Sequence, residues 1–327
     1  MKPLVYVTRH LPEAAVQELL PSCDVEIWDR EHPPPYDVVV DKIRDKQGLF
    51  CLLTERIDAP LMDAAPELKV ISQCAVGYDN IDVSAATARG IPVGNTPGVL
   101  TDATADFAFA LLMSAARRIG EAIDYVKAGH WKTWGLTLLL GQSVHGATLG
   151  IVGMGRIGQA VAQRASGFRM RVLYYDAVRQ PHAEVELGVE YCSLEDLLRE
   201  SDFVTLHVNL TEETKGLMNA QAFAQMKPTA ILINTSRGPV VDPDALYEAL
   251  GDGQIGYAAL DVTDPEPLPA DHKLLELPNL IVAPHIASAT VSSRNLMAIR
   301  AVQNLLAGLR GEKLPHCVNP EVYSGPY

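Results

Sequence analysis

Short runs of β-branched and apolar residues alternate along the chain with longer stretches in which apolar positions recur every three or four residues. That rhythm predicts repeated βα units. In the first series, strands are predicted at 4–7, 25–28, 49–53, 70–73 and 91–93, with helices at 12–20, 59–65 and 83–89. Residues 1–95 thus read as a small parallel sheet covered by helices, without a glycine fingerprint. A long helical pattern, 101–128, opens on Thr101 and Asp102 as caps and stops at Gly129. The second series predicts strands at 148–153, 171–176, 203–208, 230–234, 257–260 and 280–283, with helices near 158–166, 194–201, 219–225 and 243–250. A last helix, 290–308, leads into the tail LPHCVNPEVYSGPY, which is expected to pack back on the first series. The fold class expected is α/β, with two doubly wound parallel-sheet domains. One domain is discontinuous, 1–98 and 287–327, and the other, 99–286, is inserted within it.

Composition narrows the function. A length of 327 residues suits two domains at roughly 100–200 residues each. With 48% hydrophobic residues, each can have its own core. The balance of 27 Lys and Arg against 40 Asp and Glu gives −13, which disfavours nucleic acid and anionic membranes as partners. The most apolar stretch, 107–116, is well short of the ~20 residues of a membrane span, and the start lacks a signal-peptide core. A cytoplasmic protein is expected. The five cysteines are widely spaced and form no C-x-x-C pair, so they read as reduced thiols. No His, Cys or carboxylate cluster has metal-ligand spacing, and no metal is expected.

The segment LGIVGMGRIG sets Gly153, Gly155 and Gly158 as G-x-G-x-x-G between a predicted strand and a predicted helix. The first glycine allows the tight turn, the second admits a pyrophosphate to the backbone, and the third lets helix and strand pack closely. A second predicted strand ends in Asp176, which can accept hydrogen bonds from a ribose 2′-hydroxyl and repels a 2′-phosphate. Residues 99–286 therefore read as a Rossmann domain for NAD. Arg179 leaves dual use with NADP open, since it reads equally as a phosphate ligand or a solvated loop residue.

Three polar residues follow later strands of the same series: Arg237 in INTSRGPVVD, Glu266 in LDVTDPEPLP and His285 in IVAPHIASAT. Carboxyl ends of strands are where open α/β sheets concentrate their chemistry. Carbonyl reduction needs a cation for the substrate carboxylate and carbonyl, and a proton donor for the alkoxide. Arg237 and His285 suit these roles, and Glu266 suits that of orienting the imidazole and favouring its protonated form.

With these motifs in order, the chain resembles the D-isomer-specific 2-hydroxyacid dehydrogenase family, and within it most closely the glyoxylate/hydroxypyruvate reductases. The likeness is carried by AVGYDNID, NTPGVLTDATAD, GMGRIGQA, NTSRGPVVD, LDVTDPEPLP and PHIASAT. It implies a flavodoxin-like substrate domain beside the Rossmann domain, and NAD(P)H-dependent reduction of glyoxylate or hydroxypyruvate; NADH as the preferred cofactor, with NADP as the second choice, comes from Asp176, which differs from the uncharged or basic residue of relatives that prefer NADPH. It implies that Arg237 binds the substrate, that His285 is the acid/base supported by Glu266, and that backbone N–H groups of Val76 and Gly77 cradle the carboxylate. Cofactor contacts implied beyond the three glycines and Asp176 are Thr104, Arg156, Ile157, His207, Val208, Asn209, Thr235 and Asp261. Read singly, Thr104 also suits a helix cap and Asp261 a strand-end hydrogen-bonder.

The resemblance further implies a homodimer through a helix and arm at about 101–145; the apolar face Phe107, Leu111, Leu112, Ala115 and Ile119 agrees with burial there, and an intrachain core would show the same pattern. Leu138 stands where similar reductases often carry a tryptophan, and Ala287 where a glycine is usual. Two alternatives are a reductase of another 2-oxo acid in the same family and a non-catalytic NAD-sensing protein of the corepressor kind.

Overall fold

The computed structural model describes residues 2–324. Met1, Gly325, Pro326 and Tyr327 lie outside the described residues, and with them the last three positions of the predicted tail. The chain divides into two compact units, Met1–Leu100 with Ala289–Tyr327, and Thr101–Ser288.

The first unit is built on strands β1 (Leu4–Val7), β2 (Asp24–Ile27), β3 (Gly48–Cys51), β4 (Val70–Gln73) and β5 (Val93–Gly94). They form one parallel sheet in the order β2-β1-β3-β4-β5, the flavodoxin-like doubly wound arrangement. Alternate side chains supply opposite faces, as the two-residue period of a strand requires. Tyr6, Leu49, Cys51 and Ile71 pack with Ile43, Leu61 and Ile91 on one side. Val5, Val7, Phe50 and Val70 pack on the other with Ala298, Val302 and Leu305 of the helix Val291–Leu309. Covering both faces buries β3, β4 and β5 completely, and strands buried on both faces read as near-continuous apolar runs. Thr290 caps that helix by accepting from the Ser293 N–H at 3.1 Å. After the helix, the tail returns to β5: Val318 N–H donates to the Val93 carbonyl, and the Asn319 side chain accepts from Val93 N–H at 2.8 Å.

The second unit contains β6 (Thr148–Val152), β7 (Arg171–Tyr175), β8 (Glu190–Tyr191), β9 (Phe203–Leu206), β10 (Ile231–Asn234), β11 (Tyr257–Leu260) and β12 (Leu280–Val282). All are parallel, in the order β12-β11-β10-β9-β6-β7-β8, so the chain reverses direction of growth between β6 and β9. That reversal is the switch point at which such sheets bind ligands. Leu149, Ile151, Phe203, Ile231 and Ile233 face one core and Val152, Val204, Leu206 and Leu232 the other. No described helix is long and apolar enough to cross a membrane.

One expectation is corrected. The predicted continuous helix 101–128 is two helices, Thr101–Ala116 and Ile119–Lys127, and Thr101 and Asp102 lie within the first rather than before it. Arg118 adopts φ +52°, a left-handed conformation that stops propagation. The Ala116 carbonyl accepts from Gln142 N–H at 2.7 Å instead of from the next helical turn. Apolar periodicity runs straight through this break, so the sequence pattern hides it. Of the two readings of the apolar face, Leu111, Leu112 and Ala115 follow the intrachain one and are buried in the unit's own core. Ile119 is exposed, and with it Ile123, Val126, Trp131, Trp134, Leu136 and Leu140.

Candidate active site

The glycine turn lies between β6 and the helix Arg156–Gly167. Gly153 has φ +98°, and a Cβ there would come within 2.7 Å of the His207 carbonyl, so no other residue fits. A Cβ on Gly158 would lie 2.1 Å from the Gly153 oxygen. Gly155, by contrast, is exposed, with nothing within 4 Å of an added Cβ. It occupies the N-cap position and offers no side chain to the first N–H groups of the helix. Open space over uncapped N–H donors suits a pyrophosphate, so the turn fits a dinucleotide. Arg156 opens this helix at the surface, while Ile157 turns toward the core.

Asp176 stands one residue beyond β7. Its carboxylate is tied to this turn, accepting from Met154 N–H at 2.7 Å and from Val178 N–H at 3.2 Å. Arg179 is engaged elsewhere: its guanidinium donates to both carboxylate oxygens of Glu184 at 2.8 Å and lies over the Tyr191 ring. Hydrogen bonds from Arg179 and Tyr174 hold the Glu184 carboxyl down to about 2.

His207, Val208 and Asn209 follow β9 on the other side of the switch point. The His207 ring lies between two hydroxyls, Nε2 2.9 Å from Thr205 Oγ1 and Nδ1 3.5 Å from Thr235 Oγ1. Burial pushes its pKa down to about 3, so the ring is neutral near pH 7. Thr235 itself is buried at the end of β10. Thr104 is buried inside the first turn of its helix and is not its cap.

Arg237, Glu266 and His285 follow β10, β11 and β12, three neighbouring strands. The Arg237 turn is held by Asn234, which sequence reasoning passed over. The Asn234 Oδ1 accepts from the N–H and hydroxyl of Ser236 at 2.9 and 2.8 Å, and its Nδ2 donates to the Arg237 carbonyl at 2.9 Å. Its signal was present in the segment NTSRG, since an Asn followed by Ser two residues on commonly closes such a turn. Next to it, Gly238 packs so tightly on the loop bearing Glu266 that a Cβ would overlap the Thr263 carbonyl oxygen.

Glu266 Oε1 lies 2.6 Å from His285 Nδ1. Burial raises the Glu266 carboxyl, but the hydrogen bond and charge of His285, with Thr263 N–H and the charge of Arg237, outweigh it and hold the carboxyl below its ordinary range. His285 itself has φ +54°, a conformation that costs a non-glycine residue energy and needs outside support. Asp261 supplies that support. Its carbonyl accepts from His285 N–H at 2.9 Å, and its two carboxylate oxygens accept from Ile286 and Ala287 N–H at 2.7 and 2.8 Å. Burial nevertheless leaves the Asp261 carboxyl raised. The sequence allows a strand-end acceptor at Asp261; its grip on the backbone of the histidine turn emerges only in the folded chain.

In the first unit, Val76 and Gly77 occupy the turn that follows β4. The N–H groups of Val76, Gly77 and Tyr78 donate to no acceptor among the described residues. Ala287 is buried and Leu138 lies at the surface of the second unit.

A match to the D-isomer specific 2-hydroxyacid dehydrogenase NAD binding domain spans residues 109–287. The glyoxylate reductase of Korarchaeum cryptofilum is 55% identical over 323 residues, covering 98% of this chain and 97% of that protein. Among solved structures, the TT0316 protein of Thermus thermophilus matches with a TM-score of 0.91 and 48% identity, over 96% of this chain and 99% of that one. The NADPH-dependent glyoxylate/hydroxypyruvate reductase of Sinorhizobium meliloti, solved with NADP and malonate, matches with a TM-score of 0.87 and 33% identity over 98% of both chains. A glycine turn built for a dinucleotide, a carboxylate-bound histidine beside an arginine, and these near full-length likenesses lead to one conclusion: the chain belongs to the D-isomer specific 2-hydroxyacid dehydrogenase family.

Proposed function

We propose that the chain reduces glyoxylate and hydroxypyruvate to glycolate and D-glycerate, with NADH as the preferred reductant. The observation that carries this reading is the 2.6 Å pairing of His285 with Glu266, in the same unit as a glycine turn that fits a dinucleotide. The relatives named glyoxylate reductase support the substrate class. Gly153, Gly155, Arg156, Ile157 and Gly158 would hold the pyrophosphate, Asp176 the ribose, and Thr104, His207, Val208, Asn209, Thr235 and Asp261 the rest of the nucleotide. When bound, NADH supplies the hydride that reduces the C2 carbonyl carbon.

Arg237 binds the substrate carboxylate and draws electron density onto the carbonyl oxygen. Backbone N–H groups of Val76 and Gly77 are the further carboxylate donors of this reading. As the C–O π pair moves to oxygen, His285 gives that oxygen a proton. With Glu266 on Nδ1, delivery falls to Nε2, and the carboxylate steadies the ring through the transfer. A neutral His207 adds no second positive charge beside the nucleotide.

The preference for NADH rests on Asp176, an anion where a 2′-phosphate would lie, and on the engagement of Arg179 by Glu184. A homodimer accounts for the exposed Ile119, Ile123, Val126, Trp131, Trp134, Leu136 and Leu140, an apolar series too long for an isolated soluble surface. Free cysteines fit a reducing cytoplasm. Initial rates of NADH and NADPH oxidation with glyoxylate, hydroxypyruvate and pyruvate test the reading. Turnover with the first two and NADH is expected; NADH binding without oxidation by any of the three would point instead to a sensor.

A further inference from the structure

The turn after β4 exposes three consecutive N–H groups, and what fixes their direction lies elsewhere in the first unit. The Ala75 carbonyl accepts from Thr96 N–H at 2.9 Å. The Val76 carbonyl accepts from Asn95 Nδ2 at 2.9 Å, and the Gly77 carbonyl from Gln73 Nε2 at 2.6 Å. In a trans peptide the N–H of one residue points opposite to the carbonyl of the residue before it. Tying down the oxygens of Ala75, Val76 and Gly77 therefore turns the N–H groups of Val76, Gly77 and Tyr78 away from the groups that hold them.

The two side-chain amides are themselves immobilised. Gln73 is fully buried, and it exchanges hydrogen bonds with Asn80, donating at 2.7 Å and accepting at 3.0 Å. Asn80 also donates to the Leu52 and Glu55 carbonyls. The backbone of Asn95 is clamped at both ends: its N–H donates to the His316 carbonyl, and its carbonyl accepts from Asn304 Nδ2 at 2.9 Å. Asn304 is fully buried in the helix Val291–Leu309 and accepts from His316 N–H at 3.0 Å. Only an amide at position 95 offers a donor of this length with no charge, and an aspartate of the same shape would set oxygen against oxygen.

We infer that Asn95 and Gln73 are positioning residues for substrate binding: their side-chain amides hold the carbonyls of Val76 and Gly77 so that the N–H groups of Gly77 and Tyr78 stay aimed as carboxylate donors. This rests on the reading that the turn binds the substrate carboxylate, and it adds Tyr78 N–H as a third donor beside those of Val76 and Gly77. A preorganised donor spends no free energy on turning when the anion arrives. Loss of the anchor weakens carboxylate binding and leaves the nucleotide site untouched.

The test compares the wild-type protein with Asn95→Asp, both saturated with NADH and titrated with oxamate, an unreactive carboxylate analogue of the substrate. Protein labelled with 15N-glycine reports the Gly77 amide. In the wild type, oxamate is expected to move the Gly77 resonance. In Asn95→Asp the oxamate dissociation constant is expected to rise at least tenfold, the KM for glyoxylate to rise with it, and NADH affinity to stay within twofold. A merely structural role would lower NADH affinity or disperse the other glycine resonances equally. If Asn95→Asp does not fold, Asn95→Ala serves for the same comparison. Oxamate binding as tight as in the wild type, with the Gly77 shift retained, overturns the positioning role alone. Absence of any Gly77 shift in the wild type overturns the underlying reading of the turn and this inference with it.

Discussion

The turn after β6 and the turn after β4 both leave the carboxyl end of a parallel strand, and both present uncapped N–H groups, yet they are stiffened by different means. In the second unit the stiffening is local. Gly153 takes a left-handed φ, Gly158 lets the helix close on the strand, and the whole device occupies six residues. In the first unit it is remote: the turn at Val76 and Gly77 is held by Gln73, by Asn95 and Thr96 beyond β5, and behind Asn95 by Asn304 of the helix Val291–Leu309. A diphosphate can be met by one helix terminus, whereas a small carboxylate needs a few donors in fixed directions. If the turn at Val76 and Gly77 binds the carboxylate as proposed, a short anion site demands long-range construction.

The largest expected effect separates chemistry from binding altogether. His285→Ala is expected to lower kcat by about 10³-fold, within the range of general acid catalysis, while the NADH dissociation constant stays within threefold. Stopped-flow turnover with fluorescence titration of NADH checks both. Gly158→Ala breaks the local device: the added methyl meets the Gly153 carbonyl oxygen, and overpacking of this kind costs about 1–3 kcal/mol. NADH affinity should fall at least tenfold, read by the same titration. Together with Asn95→Asp, which spares NADH, this variant makes the two turns separately breakable.

A smaller effect is expected from Asp176→Ala, a shift of about tenfold in the ratio of kcat/KM for NADPH to that for NADH, since a 2′-phosphate would no longer face a carboxylate. Steady-state rates with the two reductants decide it. The smallest concerns His207, whose pKa lies at about 3 against an ordinary value of 6.5. Between these values the unfolded chain binds the proton and the folded chain does not, so stability is fully present above about pH 6.5 and falls as the pH drops. The slope is at most about 1.4 kcal/mol per pH unit. Urea unfolding at pH 5 and pH 7 should show this difference in the wild type and a reduced one in His207→Asn.

The same contrast explains what the sequence made legible. Glycine spacing announced the turn at Gly153 because every constraint sits within a few residues. Arg237, Glu266 and His285 are visible as polar residues just after apolar strands, at the carboxyl ends where open α/β sheets concentrate their chemistry. Asn95, Gln73 and Asn304 are not, because an amide that serves a carbonyl far along the chain leaves no period or spacing. Asp261 was named as an acceptor, but its hold on Ile286 and Ala287 depends on the left-handed turn at His285, which only the folded backbone shows. The break at Arg118 escaped for a related reason: the carbonyl it releases is taken up by Gln142 N–H, well outside the helical window. Strand β8, two residues long, was too short to carry an apolar pattern.

The central claim, hydride reduction of a small 2-oxo acid with His285 as proton donor, is tested most directly by one reaction followed to its product. Wild-type protein and His285→Ala are each incubated with glyoxylate and NADH deuterated at the transferred C4 position, and the glycolate is analysed by mass spectrometry. Glycolate carrying one deuterium at C2 is expected from the wild type, and about a thousandfold less from His285→Ala in the same time. Unlabelled product, or equal labelled product from both proteins, would contradict it.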